Sequence, residues 1–260
     1  MSSPVRVTIF GSAAGLPTAA RFTTCLGLWR GAELYLVDAG DGASAHLARR
    51  GVSPEALRAV FITHAHADHL GGLPLLLQWL QLHRRMQPLV LRLPGEVIAS
   101  LHDLLNAIYL LPEMLGFGLE VWPVTPGPIH RAPGFELEAL DNDHLDSISE
   151  RARSLGYPAK GESFSFLATV EEKRIYFSGD LARPQEAAQA DGADLAVIEM
   201  AHFTPEELGA ALAAVNLPRL VLTHLIHTLE PVEEQVVARV KAAGFGGEIH
   251  LARDGDEFVV

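Results

Sequence analysis

Short apolar runs recur along the chain, each ended by polar or glycine-rich residues. Val5–Phe10, Thr24–Trp29, Leu34–Asp38 and Ala59–Thr63 have the length and β-branched or aromatic content of strands. A helix is predicted near Ser44–Arg50, and Ser53-Pro54-Glu55 opens a short helical turn by its cap and proline. Longer amphipathic stretches predict helices over Leu70–Arg85 and Gly95–Tyr109. The second half repeats the style, with strands at Phe135–Leu140, Phe164–Val170, Arg174–Ser178, Leu195–Glu199 and Leu220–Thr223, and helices at Pro205–Ala214 and Pro231–Ala243. Strands gather early in each half and helices interleave later. That order suits a layered α/β sandwich better than a doubly wound sheet. Val121–Pro133 reads as a short Pro-rich connection. Leu104–Leu115 is apolar on too many sides for a solvated helix, so it is expected to cover a site or bury a dimer face.

One segment breaks the pattern. Thr63-His64-Ala65-His66-Ala67-Asp68-His69 follows the apolar run Ala59-Val60-Phe61-Ile62 and sets three imidazoles and a carboxylate in close succession. No core needs such polarity just after a buried strand, and burying these groups unpartnered is costly. A divalent metal removes that cost, because neutral imidazole and carboxylate are good ligands for it. His64 and His66 are two apart and face the same side of an extended segment. Asp68 and His69 fall where the chain should turn helical, and can face a second ion.

Further ligand-type residues sit at the ends of apolar runs. Asp141-Asn142-Asp143-His144 follows Phe135–Leu140, Ile175-Tyr176-Phe177-Ser178-Gly179 ends in Asp180, and Leu220-Val221-Leu222-Thr223 ends in His224. Sites in layered α/β proteins collect at such strand ends.

The series H-x-H-x-D-H, a lone His, S-G-D and T-H resembles the metal-ligand series of the metallo-β-lactamase superfamily, over Val5 to about Leu225. The resemblance implies an αββα sandwich with a two-metal site at one edge. It places His64, His66 and His144 on one metal and Asp68, His69 and His224 on the other, with Asp180 bridging. The branch it most resembles is the ribonuclease Z-like one. Gly11-Ser12-Ala13-Ala14-Gly15-Leu16-Pro17-Thr18 is similar to its opening glycine loop, and Arg21 fits the Arg that follows. Leu36-Val37-Asp38-Ala39-Gly40-Asp41-Gly42 is similar to its D-x-G-E-G segment. Val197–Thr204 resembles two family segments fused by a deletion, so that Glu199 takes the Glu position and His202 the proton-donating His position. The resemblance makes His202 a donor to the leaving group, oriented by Glu199. Asp38 is expected to take a hydrogen bond from a ligand imidazole. Thr204-Pro205 is at the same time a helix cap and first turn.

The chain also departs from that branch. Phe22 follows Arg21 where the family usually has Asn, Ala19 and Ala20 stand where a Lys is usual, and no long tRNA-gripping arm is present. Leu145–Ser163 is an unusual polar stretch that could form a lid over the metals.

Composition narrows the function. The chain has 260 residues, 48% of them hydrophobic, enough for one large core, and no segment reads as a linker, so residues 1–260 are expected to be a single domain. Leu73–Leu82 is too short to span a membrane. Met1–Arg6 leads straight into a strand with no basic and apolar leader, and the lone Cys25 suits a reducing compartment, so a cytoplasmic protein is expected. Formal net charge is −12, unfavourable for a long nucleic-acid partner. Arg49-Arg50 and Arg84-Arg85 read as solvated helix ends rather than phosphate sites.

These readings together predict a metal-dependent hydrolase, a phosphodiesterase using a metal-activated hydroxide on a small anionic substrate or a short nucleic-acid end. The expected cofactors are two divalent ions, zinc first, with manganese, nickel or iron also suited to the His/Asp set. Asp68, Glu199 and His202 are the expected catalytic side chains, and a homodimer is the expected assembly. The alternative is a lactonase, thioesterase or sulfatase-like ester hydrolase on the same metals. A non-enzymatic, iron-based redox or binding role is a third reading.

Overall fold

The apolar runs pair into two seven-stranded sheets. The computed structural model describes residues 4–260; Met1, Ser2 and Ser3, which begin the segment read as running straight into the first strand, lie outside the described residues. In chain order the first sheet takes β1 (Val5–Gly11), β2 (Cys25–Arg30), β3 (Glu33–Val37), β4 (Leu57–Phe61), β5 (Leu89–Pro94) and β6 (Leu119–Val124). The second takes β7 (Gly127–Ala132), β8 (Phe135–Asp141), β9 (Phe164–Val170), β10 (Lys173–Phe177), β11 (Leu195–Met200), β12 (Arg219–Leu225) and β13 (Glu248–Leu251). β14 (Glu257–Val259) returns to the first sheet beside β1. The spatial orders are β14-β1-β2-β3-β4-β5-β6 and β13-β12-β11-β10-β9-β8-β7. β3 through β6 run parallel, as do β10 through β13.

The helices are α1 (Ala43–Arg49), α2 (Ala67–Leu70), α3 (Leu73–Leu82), α4 (Ile98–Ala107), α5 (Asp146–Ser154), α6 (Pro205–Leu212) and α7 (Glu233–Ala242). Val7, Ile9, Phe61, Phe135, Phe166 and Phe177 fill the space between the sheets. Leu47 of α1, Leu76 and Leu80 of α3, and Leu101 and Leu105 of α4 cover the outer face of the first sheet. Leu208 and Leu212 of α6, with Val236 and Val240 of α7, cover the second. The layers are therefore α-β-β-α, as the resemblance implied. Each fully buried Leu or Phe contributes about 1.5–3 kcal/mol, so three apolar layers hold the strand ends in place.

Several sequence expectations need correction. The stretch Val121–Pro133 is not a connection but the edge-strand pair β6 and β7. Pro123 and Pro128 blur the strand pattern, yet edge strands tolerate proline because one side of the ladder is unpaired. β5, β13 and β14 also went unpredicted. The helix expected over Leu70–Arg85 is split, because α2 ends and α3 begins around Gly71-Gly72. A Cβ on Gly72 would come within 2.0 Å of the Gly40 carbonyl oxygen, so the backbones touch there. Gly95–Val97 is a 3-10 turn before α4, and Pro231 lies in a 3-10 turn before α7. Arg85 is not solvated: it is 1% exposed, and its guanidinium donates to the carbonyls of Pro54 and Pro88. Within Leu104–Leu115, Leu105, Leu110 and Leu115 pack into the outer layer, while Leu104, Ile108, Tyr109 and Met114 face solvent. Cys25 is buried, which pushes its thiol well above the usual range. Among the described residues no helix is long and apolar enough to cross a membrane.

Candidate metal centre

Four strands deliver the polar residues to one edge of the sandwich. β4 ends at Phe61, and Thr63 and His64 follow; His64 bridges to Ser163 and fixes the chain as it leaves the sheet. His66 stands at the start of α2, whose single turn carries Asp68 and His69. His144 follows β8, Asp180 follows β10 by the turn Ser178-Gly179, and His224 lies near the end of β12. Gly179 takes a φ of 57°, the left-handed region in which glycine is unstrained. His224 itself adopts a φ of 52°, beside an irregularity in the β11–β12 register. That conformation is costly for a non-glycine residue and turns its ring out of the regular strand alternation.

All seven residues singled out as ligands come together. His64, His66, His144 and Asp180 offer atoms that lie within 4.8 Å of one another, and so do Asp68, His69 and His224. Asp180 lies against both groups. Its Oδ2 is 3.6 Å from His144 Nε2, 3.8 Å from His64 Nε2 and 3.2 Å from His224 Nε2, and its Oδ1 is 3.3 Å from His69 Nε2. Asp68 Oδ2 is 3.5 Å from His69 Nε2 and 3.8 Å from His224 Nε2.

The unpartnered atoms are the ones a cation would use. His64 Nε2, His69 Nε2 and Asp180 Oδ1 are buried and have no hydrogen-bond partner. Three such atoms side by side would be a heavy desolvation cost in an ordinary core. A mixed imidazole and carboxylate set suits zinc, manganese, nickel or iron, so the residues present fit divalent ions.

Neighbouring groups orient the rings. Asp38 is fully buried, with a φ of 62°. Its Oδ2 accepts from His69 Nδ1 at 2.8 Å, and its Oδ1 accepts from the Thr63 backbone N–H at 2.8 Å. With Nδ1 bonded, the His69 Nε2 faces the cluster. Thr24 does the same for His224, with Oγ1 2.6 Å from Nδ1. Sequence reasoning missed Thr24. The only signal was a threonine pair, Thr23-Thr24, entering an otherwise apolar strand.

Electrostatics divides the imidazoles. Burial, with cationic His neighbours adding to it, drives His64 well below its ordinary value, and burial pushes His144 down to about 4. Both are therefore neutral at pH 7, the form that binds metals. His69 goes the other way: burial opposes its protonation, but Asp180 and Asp38 outweigh it and hold the ring well above its usual value. Carboxylates that attract a proton to that spot attract any cation, so protons and metal compete there. Asp180 is held well below the usual carboxylate range by His224 and His69, against the effect of burial.

Glu199 and His202 form a second constellation at the margin. Glu199 is fully buried at the end of β11, and its Oε1 accepts from His202 Nδ1 at 2.8 Å. The same carboxylate accepts from the backbone N–H of Leu181, Ala201 and His202, tying together the loops after Asp180 and after β11. The side-chain bond from His202 Nδ1 to Glu199 raises the His202 pKa against the opposing effect of burial. Its ring centroid lies 4.7 Å from that of His144, and Nδ1 lies 4.0 Å from Asp180 Oδ2. Thr204 caps α6 just beyond, in a capping box with Glu207, so the cap role and the site role belong to neighbouring residues. A pocket of about 540 Å³ opens over His66, His144 and His202, with α5 and Arg183 on its rim. The polar stretch expected as a lid thus supplies one wall. Arg183 is already paired with Asp143 and Glu186.

Comparison with known proteins shows the family and the fold. The profile of the beta-lactamase superfamily domain matches residues 34–225. A ribonuclease Z of Pseudomonas putida is 30% identical, over 94% of this chain and 93% of its own length. One of Natronomonas pharaonis is 29% identical, over 97% and 96% respectively. The first of these alignments runs over 297 positions, more than the 260 residues here, so the relative carries insertions that this chain lacks. Among solved structures, the metallo-beta-lactamase fold protein YhfI from Bacillus subtilis superposes with a TM-score of 0.78 at 21% identity, covering 98% of this chain and 99% of that one.

Proposed function

The chain belongs to the beta-lactamase superfamily, in its ribonuclease Z-like branch, and is a metal-dependent hydrolase; on that premise we propose that it is a phosphodiesterase acting on small anionic phosphodiesters or short nucleic-acid ends. The observation that carries the reading is the Glu199–His202 pair, 2.8 Å apart, at the margin of the seven-residue cluster. In this reading His64, His66, His144 and Asp180 would hold one divalent ion, and Asp68, His69 and His224 the other, with Asp180 reaching both. Zinc is the expected metal. When bound, such ions supply an acidified water and positive charge for the oxyanion that develops on the phosphoryl group.

The chain's own residues do the rest. Asp68, at the open side of the cluster, takes the proton of the attacking water on its carboxylate. Glu199 fixes the His202 ring through Nδ1 and favours its protonated form, whose free Nε2–H can protonate the departing alkoxide. The insertions of the relatives are absent here, and the net charge is −12. Both support a small substrate rather than a long RNA.

Turnover of bis(p-nitrophenyl) phosphate by the metal-supplemented protein tests the reading, run beside a panel of lactones and thioesters. Hydrolysis of the phosphodiester is expected. Turnover confined to the carbon esters would replace it with the alternative.

A further inference from the structure

Beside His66 a second pocket opens, which shares His66 and Ile148 with the polar one over His144 and His202. It measures about 250 Å³ and is walled mainly by Ala65, Val97, Leu145, Ile148 and Ala152. A pocket of about 180 Å³ shares Ala65 and Val97 with it and continues toward Leu93 and Leu101. The residues lining these two pockets include no lysine or arginine. Ile148, on α5, is 54% exposed at the mouth.

Polar groups at the edge of the slot hold its walls in place, and two of them, Glu96 and Ser149, also line it. Glu96 accepts from the backbone N–H of Lys160 at 2.8 Å and of Glu162 at 2.9 Å, and Glu162 in return accepts from the N–H of Glu96 at 2.8 Å. Arg153 donates to the Ala159 carbonyl at 3.0 Å and to Ser149 Oγ at 3.2 Å. The Glu96 and Glu162 bonds tie the loop after α5 to the turn before α4, and the Arg153 bonds tie that loop to α5. Glu96 and Arg153 are therefore occupied by these bonds, and the rest of the lining beside His66 is mainly apolar.

The geometry points to an uncharged, apolar ester group of about phenyl size as the occupant of this slot. The substrate is a small phosphodiester whose ring or short alkyl substituent lies between Val97 and Ile148, with its phosphoryl group toward His66 and His144. A cavity of about 150 Å³ accepts a benzene ring, so the space is sufficient. A following nucleotide would instead bring a phosphate into a slot with no cation to meet it. The inference rests on the phosphodiesterase reading for the phosphoryl group, whereas the slot's preference for an apolar group does not depend on which bond breaks.

Isothermal titration of the zinc-supplemented protein with phenylphosphonate and with methylphosphonate tests it. Phenylphosphonate is expected to bind roughly tenfold or more tightly, from the apolar area removed from water. Ala152→Phe, which fills the slot from α5, should abolish that preference and leave methylphosphonate affinity within about twofold. Ile148→Asp should reduce the preference. Equal affinity of the two phosphonates for the unaltered protein would overturn the inference, and so would a preference that survives both substitutions. The wild-type comparison needs no variant, so misfolding of either variant cannot mask the result. A phenyl preference without turnover of bis(p-nitrophenyl) phosphate would remove the phosphodiesterase reading and keep the slot. Turnover without the preference would do the reverse.

Discussion

Asp38 Oδ2 and His69 Nδ1 lie 2.8 Å apart, with both residues closed to solvent. The carboxylate sets which ring nitrogen faces the cluster and makes that nitrogen more basic. Second-layer carboxylates of this kind typically change metal affinity about 10–100-fold. Asp38→Asn keeps the shape and removes the charge. Zinc affinity measured by chelator competition should fall within that range. Affinity equal to that of the unaltered protein would show that Asp38 serves the loop and not the site.

His202 should matter in proportion to how poor the leaving group is. A p-nitrophenolate departs without help, whereas an alkoxide needs a proton. His202→Ala is expected to lower kcat about 10²–10⁴-fold on an alkyl ester leaving group, with a much smaller loss on bis(p-nitrophenyl) phosphate. Glu199→Gln should reproduce the same leaving-group dependence in weaker form, because it leaves a ring that is still present but no longer charge-stabilised. Equal losses on both substrates would place the effect in folding or metal binding instead.

The Asp-Ala-Gly loop depends on having no side chain at Gly40. A Cβ there would stand 2.2 Å from the Asp68 carbonyl oxygen and 2.5 Å from Thr23 Oγ1. Backbone must move to admit it, and α2 must move with it. Gly40→Ala is expected to destabilise by about 1–3 kcal/mol, read as a lower denaturant midpoint, and to weaken zinc binding in the same variant. A midpoint equal to that of the unaltered protein would mean that the loop is looser than its contacts imply.

His130 gives stability a pH dependence away from the metal site. Its ring packs against Tyr35, Phe61 and Phe135 at centroid distances of 6.0, 5.4 and 5.7 Å. Burial, with Arg92 adding to it, lowers its pKa below the ordinary value of 6.5. As pH falls below that value, the unfolded chain binds a proton that the folded chain still refuses. Stability from this residue is therefore complete above about pH 6.5 and falls on acidification, levelling once the folded ring titrates. His130→Gln should flatten the denaturant-midpoint curve between about pH 7 and pH 5. An unchanged slope would assign the acid sensitivity to other groups, such as His46, which burial also lowers.

The ligand-type residues were legible because the sequence crowds them where physics forbids casual polarity. His64, His66, Asp68 and His69 follow an apolar run, and Asp180 and His224 end others, so strand ends marked them as candidates and the family resemblance gathered them into one site. The layered fold followed from the same runs. What stayed hidden was set by tertiary context. β6 and β7 carry Pro123 and Pro128, whose place on sheet edges no local pattern reveals. The break at Gly71-Gly72 arises from contact with Gly40, distant in sequence. Thr24 reaches His224 across two hundred positions of chain, and the threonine pair Thr23-Thr24 says nothing locally about that partner. Arg85 looks like a solvated helix end until Pro54 and Pro88 are seen to enclose it.

The seven clustered side chains are proposed to hold two divalent ions, and metal stoichiometry tests that most directly. The protein is saturated with zinc, dialysed, and analysed by inductively coupled plasma mass spectrometry, with Asp180→Ala alongside. About two ions per chain are expected, as in dinuclear hydrolases, with a marked loss in the variant because Asp180 lies against both groups. A dialysed protein with no bound metal, or a variant that retains the full complement, would contradict the proposed centre.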